Sequence, residues 1–124
     1  MKNNCENDIF CGLNRTKKMD PNEMSDLEKK HVPHIEVESI TEKENKFKIS
    51  VELGKYMDHP NEHNHFIQWI ELYSGETFLG RIDFASGRTE PKTIFEVNLD
   101  HLHDLKALAH CNMHGTWENK KKLE

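Results

Sequence analysis

At 124 residues, with 35% hydrophobic and 31% charged side chains, the chain suffices for one domain but has little apolar material to spare. A mean hydropathy of -0.87 and the absence of any apolar run near the ~18 residues of a membrane span exclude an integral helical membrane protein. Seventeen Lys and Arg against 22 Asp and Glu leave a net charge of -5 without a basic stripe, which argues against nucleic acid as a partner. The start, MKNNCENDIF, has neither the apolar stretch nor the cleavage site of a secretory signal. Three cysteines cannot all pair within one chain, so a reducing compartment, the cytoplasm, is expected.

In chain order, residues 1–27 read as an irregular, polar N-terminal arm. Its later part, continuing into KKMDPNEMSDLEKK, is charged, rich in turn residues and expected to be an exposed arm or loop. Residues 28–124 read as the folded body, and from Val32 onward the dominant period is two. Ile35 and Val37 alternate with Glu36 and Glu38. In KFKISVEL, Phe47, Ile49, Val51 and Leu53 alternate with Lys48, Ser50 and Glu52, as in a half-buried strand. HFIQWIELY is more continuously apolar and is expected to be a central strand covered on both faces. Phe78, Ile82 and Phe84 form a further alternating set, as do Phe95, Val97 and Leu99. DHLHDLKAL is read as one helical turn or a loop. Turn residues at Gly54, Pro60-Asn61, Gly75, Gly87 and Pro91 separate these runs. Short strands at roughly ten-residue spacing without a long helix predict an all-β antiparallel β-sandwich.

Nine histidines are the compositional anomaly, and histidine is the commonest metal ligand. Three clusters carry the case. HPNEHNH supplies His59, His63 and His65 just before a strand. CNMHG supplies Cys111 and His114 at Cys-x-x-His spacing, with Gly115 easing the backbone around an ion. KKHVPH supplies His31. His63 competes with its neighbours in the first cluster. His34, His101 and His103 are read as surface residues, and His110 as a strand residue beside the site. One thiolate among several imidazoles suits iron, copper or zinc rather than magnesium or calcium. A blue-copper site carries a weak Met ligand beyond its last His, and no Met follows His114. Structural zinc uses four ligands, whereas this chain offers up to five candidates, a number better suited to a reactive iron site.

The series KHVP, HP with a second His six residues on, WIELY, and CNMHG followed by WE resembles the superoxide reductases over residues 28–124. More narrowly, it is similar to the single-iron neelaredoxin type and the catalytic domain of desulfoferrodoxin. The resemblance implies an immunoglobulin-like sandwich holding one mononuclear non-haem iron, cycling between Fe2+ and Fe3+. It assigns His31, His59, His65 and His114 as imidazole ligands and Cys111 as axial thiolate, with His63 at a non-ligand position. The implied activity is one-electron reduction of superoxide to hydrogen peroxide, assisted by Lys30. A small donor protein such as rubredoxin and a homo-oligomer, as in tetrameric relatives, are implied as partners. The alternative is a non-catalytic metal-binding or electron-transfer sandwich with the same ligands.

Two departures stand out. The family has Glu-Lys directly before its first ligand, but Glu28-Lys29-Lys30-His31 puts Lys29 at the glutamate position. Desulfoferrodoxins carry a four-cysteine iron centre in the arm, where this chain offers only Cys5 and Cys11. One iron rather than two is therefore expected, with Cys5 and Cys11 read as plain surface thiols and a stabilising disulfide as the less favoured alternative.

Overall fold

The computed structural model describes residues 8–40 and 44–123. Its elements are β1 (Leu13–Asn14), a 3-10 turn (Pro21–Glu23), α1 (Asp26–His31), β2 (His34–Ser39), β3 (Lys46–Glu52), β4 (Ile67–Ser74), β5 (Thr77–Asp83), β6 (Lys92–Asn98), β7 (Leu105–Cys111) and β8 (Gly115–Lys121). They form two sheets, one in the order β1-β8-β7-β4-β5 and one in the order β2-β3-β6. All pairs are antiparallel except β1 with β8. The chain crosses between sheets after β1, β3, β5 and β6, giving the antiparallel β-sandwich that the sequence pattern predicts, of the immunoglobulin-like kind that the resemblance implies.

The period-two residues fill the space between the sheets. Ile35, Ile49, Val51, Leu53, Ile70, Leu72, Val97 and Leu99 are all buried. β4 has β7 on one side and β5 on the other, and its outer face is covered by side chains rather than by another layer. There Trp69 stacks on His110 with ring centroids 5.6 Å apart, and the Arg81 guanidinium sits 4.6 Å over Trp69.

Four readings change. DHLHDLKAL is neither helix nor loop in its second half, because Leu105, Ala107 and Ala109 face the core from β7. Two of these inward residues are alanines, which make a weak hydrophobic signal. Phe78 points outward, 54% exposed, because a register shift at Leu72/Tyr73 turns the start of β5; it meets the Tyr73 ring instead. The arm is also less irregular than expected. Asp20 caps the 3-10 turn with Pro21 at its first position, and Met24 is buried. Cys11 is disulfide-bonded rather than a plain thiol, and Cys5 lies outside the described residues.

The described part of the arm is fastened to β8 beside its first residue. Asn14 Nδ2 donates to Ile9 O at 2.8 Å and to Thr116 O at 3.0 Å. Arg15 Nε donates to Glu118 Oε1 at 2.5 Å, pairing a carboxylate that is only 4% exposed. This arrangement depends on Gly115, whose φ is +82° and whose missing Cβ would lie 2.0 Å from Ile9 O. Gly115→Ala should lower stability by at least about 1–3 kcal/mol in urea unfolding, through backbone strain and displacement of Ile9. Ile94→Ala, at a residue 66% exposed, should change it by less than about 0.5 kcal/mol. Equal stability of Gly115→Ala and wild type would mean that the arm is not seated on this turn.

Candidate metal centre

His31 ends a helix too short to persist on its own, so its local devices are specific. Ser25 Oγ accepts from Glu28 N at 3.1 Å, and Glu28 Oε1 accepts from Ser25 N at 2.9 Å, a complete capping box. Asp26 and Glu28 occupy the first turn, Lys29, Lys30 and His31 the last, as the helix dipole favours. Pro33 stops further helix. His31 Nδ1 donates to Leu27 O at 2.7 Å, which leaves Nε2 unprotonated and pointing away from the helix. The ring is 1% exposed and stacks on Trp117, centroids 5.1 Å apart.

His59 follows the same logic from a loop. Gly54 turns the chain at φ +78°, where a Cβ would lie 2.9 Å from His59 N. His59 Nδ1 donates to Pro60 O at 2.6 Å, and its Nε2 lies 3.1 Å from His31 Nε2 and 3.3 Å from Cys111 Sγ. Cys111 is the last residue of β7, fully buried, and pairs with Gly115 across the hairpin to β8. His114 lies in that turn, its carbonyl accepting from Trp117 Nε1 at 2.9 Å and its Nδ1 3.7 Å from Cys111 Sγ. His65 stands just before β4, in a backbone bridge with Glu62. One ligand atom from each of His31, His65, Cys111 and His114 lies within 4.8 Å of the others. With His59, the five donors named from the sequence converge.

Burial sets their charge. Desolvation pushes the His31 pKa down to about 3, and neighbouring histidines reinforce it against the Leu27 hydrogen bond. Desolvation likewise takes His59 to about 4, despite the Pro60 contact. His114 is also lowered, chiefly by burial, then by His65 and Lys30. Burial raises the Cys111 thiol, partly offset by the amide groups of Met113 and His114. His65 Nε2 is buried with no hydrogen-bond partner. A ring nitrogen buried without a partner is costly in protein, and a site that offers its lone pair to a cation removes that cost. Neutral imidazoles around one thiol of softer character fit iron well, and binding would displace the thiol proton.

A sequence profile described as desulfoferrodoxin matches residues 23–120. The chain belongs to the desulfoferrodoxin family. It is 40% identical over 104 residues to a superoxide reductase of Pyrococcus horikoshii, covering 77% of this chain and 88% of that one. The structure of superoxide reductase from Nanoarchaeum equitans superposes with a TM-score of 0.71 at 33% identity, covering 89% and 100% of the two chains. A superoxide reductase crystallised in the oxidised state gives a TM-score of 0.67 at 37% identity, covering 76% and 88%.

Within this family member, the remaining histidines lie elsewhere. His63 is exposed and meets Ser86 Oγ at 3.2 Å through Nδ1. His34 bridges Tyr56 and Glu36, His101 and His103 are exposed, and His110 Nδ1 lies 2.8 Å from Thr116 Oγ1 on the outer face. Glu28 is committed to the helix cap, its Oε2 also accepting from Lys17 N at 2.9 Å. Lys30 is half-buried and near enough to His59 and His114 to depress both. Sequence reasoning missed Trp117, which touches two donors, and Asn112, which joins two ligand-bearing segments. The only signal was their place beside Cys111 and His114.

The depressed histidines make a prediction for the metal-free protein. Above pH 6.5 they are neutral in both folded and unfolded chains and contribute no pH dependence. Below it the unfolded chain takes up protons that the fold refuses, so stability falls until His59 and then His31 titrate near 4 and 3. Each should remove roughly 1 kcal/mol per pH unit in this window. Urea midpoints of the metal-free protein at pH 7.5 and 5.5 check the slope; a flat profile contradicts it.

Proposed function

We propose that this protein is a superoxide reductase that converts superoxide to hydrogen peroxide at one mononuclear non-haem iron held by His31, His59, His65, His114 and Cys111. The observation that carries the reading is the convergence of these donors, three buried and two half-buried, from separate segments in a member of the desulfoferrodoxin family. The relatives compared carry the reductase name, and the non-catalytic alternative has no comparable support.

Bound iron supplies the electron, passing between Fe2+ and Fe3+. The protein's residues do the rest. If iron is bound, His31, His59, His65 and His114 would hold it through their imidazoles, burial disfavouring protonation of His31, His59 and His114, and the Cys111 thiolate would supply electron density to it. Lys30 attracts the superoxide anion and donates a hydrogen bond from Nζ to the reduced product, which takes two protons overall. Lys29 adds to this basic lip. With both its carboxylate oxygens engaged by Ser25 N and Lys17 N, Glu28 would not be free to serve as a ligand to iron. Residues 28–124 act as the catalytic domain and residues 1–27 as its arm. The family resemblance supports a rubredoxin-like electron donor, a homo-oligomer of tetramer type, a cytoplasmic location and a role in superoxide detoxification. Among the described residues no helix is long and apolar enough to cross a membrane.

Iron(II)-loaded protein mixed with superoxide should yield one peroxide per iron oxidised, with no oxygen evolved. Its oxidised form should show a visible thiolate-to-iron(III) band, and Cys111→Ser should lose the band and turnover together. Oxygen evolution would indicate dismutation instead. Lys30→Ala should slow the second-order step roughly tenfold at low salt while iron content and spectrum stay unchanged. The deficit should shrink as ionic strength rises, because screening removes the attraction from the wild type first. A salt-independent loss, measured by pulse radiolysis, would show that Lys30 acts otherwise than by its charge.

A further inference from the structure

His65 is the least supported of the donors by hydrogen bonding. The rings of His31 and His59 are each fixed by a backbone carbonyl, at Leu27 and Pro60. Among the described contacts no carbonyl accepts from the His65 ring, and its Nε2 is buried without a partner. Its orientation must come from the backbone that carries it and from ring contacts with His59 and His114, whose centroids lie 5.0 and 5.1 Å away. On one side that backbone is held by the reciprocal bonds Glu62 N to His65 O, 2.9 Å, and His65 N to Glu62 O, 3.1 Å. On the other side stands a single side chain. Asn112 Oδ1 accepts from Phe66 N at 2.9 Å, Asn112 Nδ2 donates to Asn64 O at 2.9 Å, and Asn112 N donates to Phe66 O at 3.3 Å. The amide thus grips the residues immediately before and after His65. Asn112 itself directly follows Cys111.

We propose that Asn112 is a positioning residue for His65, a clasp that locks the loop before β4 to the Cys111–His114 turn. Among the described residues its hydrogen bonds go to Asn64 and Phe66, not to a donor ring or the thiol. Its amide is the one side-chain type that offers a donor and an acceptor in the geometry of a peptide group, which is what a gap between Asn64 O and Phe66 N requires. A buried ligand that reaches its metal already oriented loses little freedom on binding; released from the clasp, His65 would have to be ordered by the metal itself. Outer contacts of this kind change metal affinity by 10- to 100-fold in other sites. The inference rests on the metal reading above, and its test separates the two.

In metal-free protein, Asn112→Ala should raise amide hydrogen exchange at Phe66 at least tenfold while Ile70, in the core of β4, stays protected. In protein loaded with iron(II), release to ferrozine should accelerate roughly tenfold in Asn112→Ala. Asn112→Asp, which keeps the acceptor for Phe66 N–H but has no donor for Asn64 O, should fall between. The deciding measurement is a pair of cycles. Asn112→Ala should add less than twofold to release from a His65→Ala variant, yet keep its full tenfold effect in His59→Ala. An equal effect in both backgrounds, or none in the wild type, overturns the clasp. If wild-type protein retains no iron, the metal reading falls, and exchange at Phe66 alone still decides whether Asn112 holds the loop.

Discussion

Packing four imidazoles around a buried thiol, two of them buried and two half-buried, at the end of an apolar sandwich, is the constraint on which the rest of the structure depends. His31 and His59 have given up water, and protonation is opposed by desolvation and by the neighbouring rings. Without a cation the cluster is a liability, and the surrounding structure must supply enough packing to hold it. Ile67, Ala109, Cys111 and Trp117 do so from β4, β7 and β8, where the pairing Ile67 with Cys111 ties two of the walls together. The result is preorganisation, in which the fold bears the cost of orienting donors before any metal arrives.

The donors arrive from chemically different supports. A helix C-terminus presents His31, a glycine-turned loop His59, a bridged loop His65, and the β7–β8 hairpin both Cys111 and His114. No one element could bring five donors to one point, since side chains adjacent on a strand diverge and those on a helix cover a single stripe. The hairpin is the exception that contributes two, and it manages this with a three-residue turn into Gly115 in left-handed backbone. The arm then seats on the same glycine. Ligand geometry and the docking of residues 9–14 are therefore not independent, and a change in either is felt at His114.

The strands β2, β3, β5 and β6 were legible because large apolar residues alternate with polar or charged ones, and β4 because its apolar run is nearly continuous. β7 was read as strand only at His110 and β8 not at all, for opposite reasons. β7 alternates through Ala107 and Ala109, small residues that fit where the sheets approach closely. β8 buries Trp117 and Glu118 in succession, so no period appears at all; the carboxylate is tolerated only because Arg15, far away in sequence, reaches it. The short helix α1 was hidden in a charged stretch although Ser25 and Glu28 spelled its cap. The five donors could be named from the clusters and the family resemblance. The devices that aim them could not, since Leu27 O and Pro60 O are backbone atoms and Asn112 is an ordinary amide until the loop it grips is seen.

The displaced glutamate shows how one residue of register changes a site. On a helix, side chains lean toward the N-terminus, and Glu28 is three residues before His31 at the position from which a carboxylate reaches back to its own cap. Both its oxygens are engaged there, by Ser25 N and Lys17 N. Moving it nearer the metal would break the capping box of a six-residue helix whose last residue is His31. Lys29 and Lys30 occupy the final turn, where cations are favoured by the dipole and where Lys30 already lowers the proton affinity of His59 and His114. The local field at this mouth is thus positive in a chain whose net charge is -5. Because salt confines electrostatic reach to roughly 8–10 Å, Lys30, close enough to act on His59 and His114, weighs more on an approaching anion than distant acidic surface does.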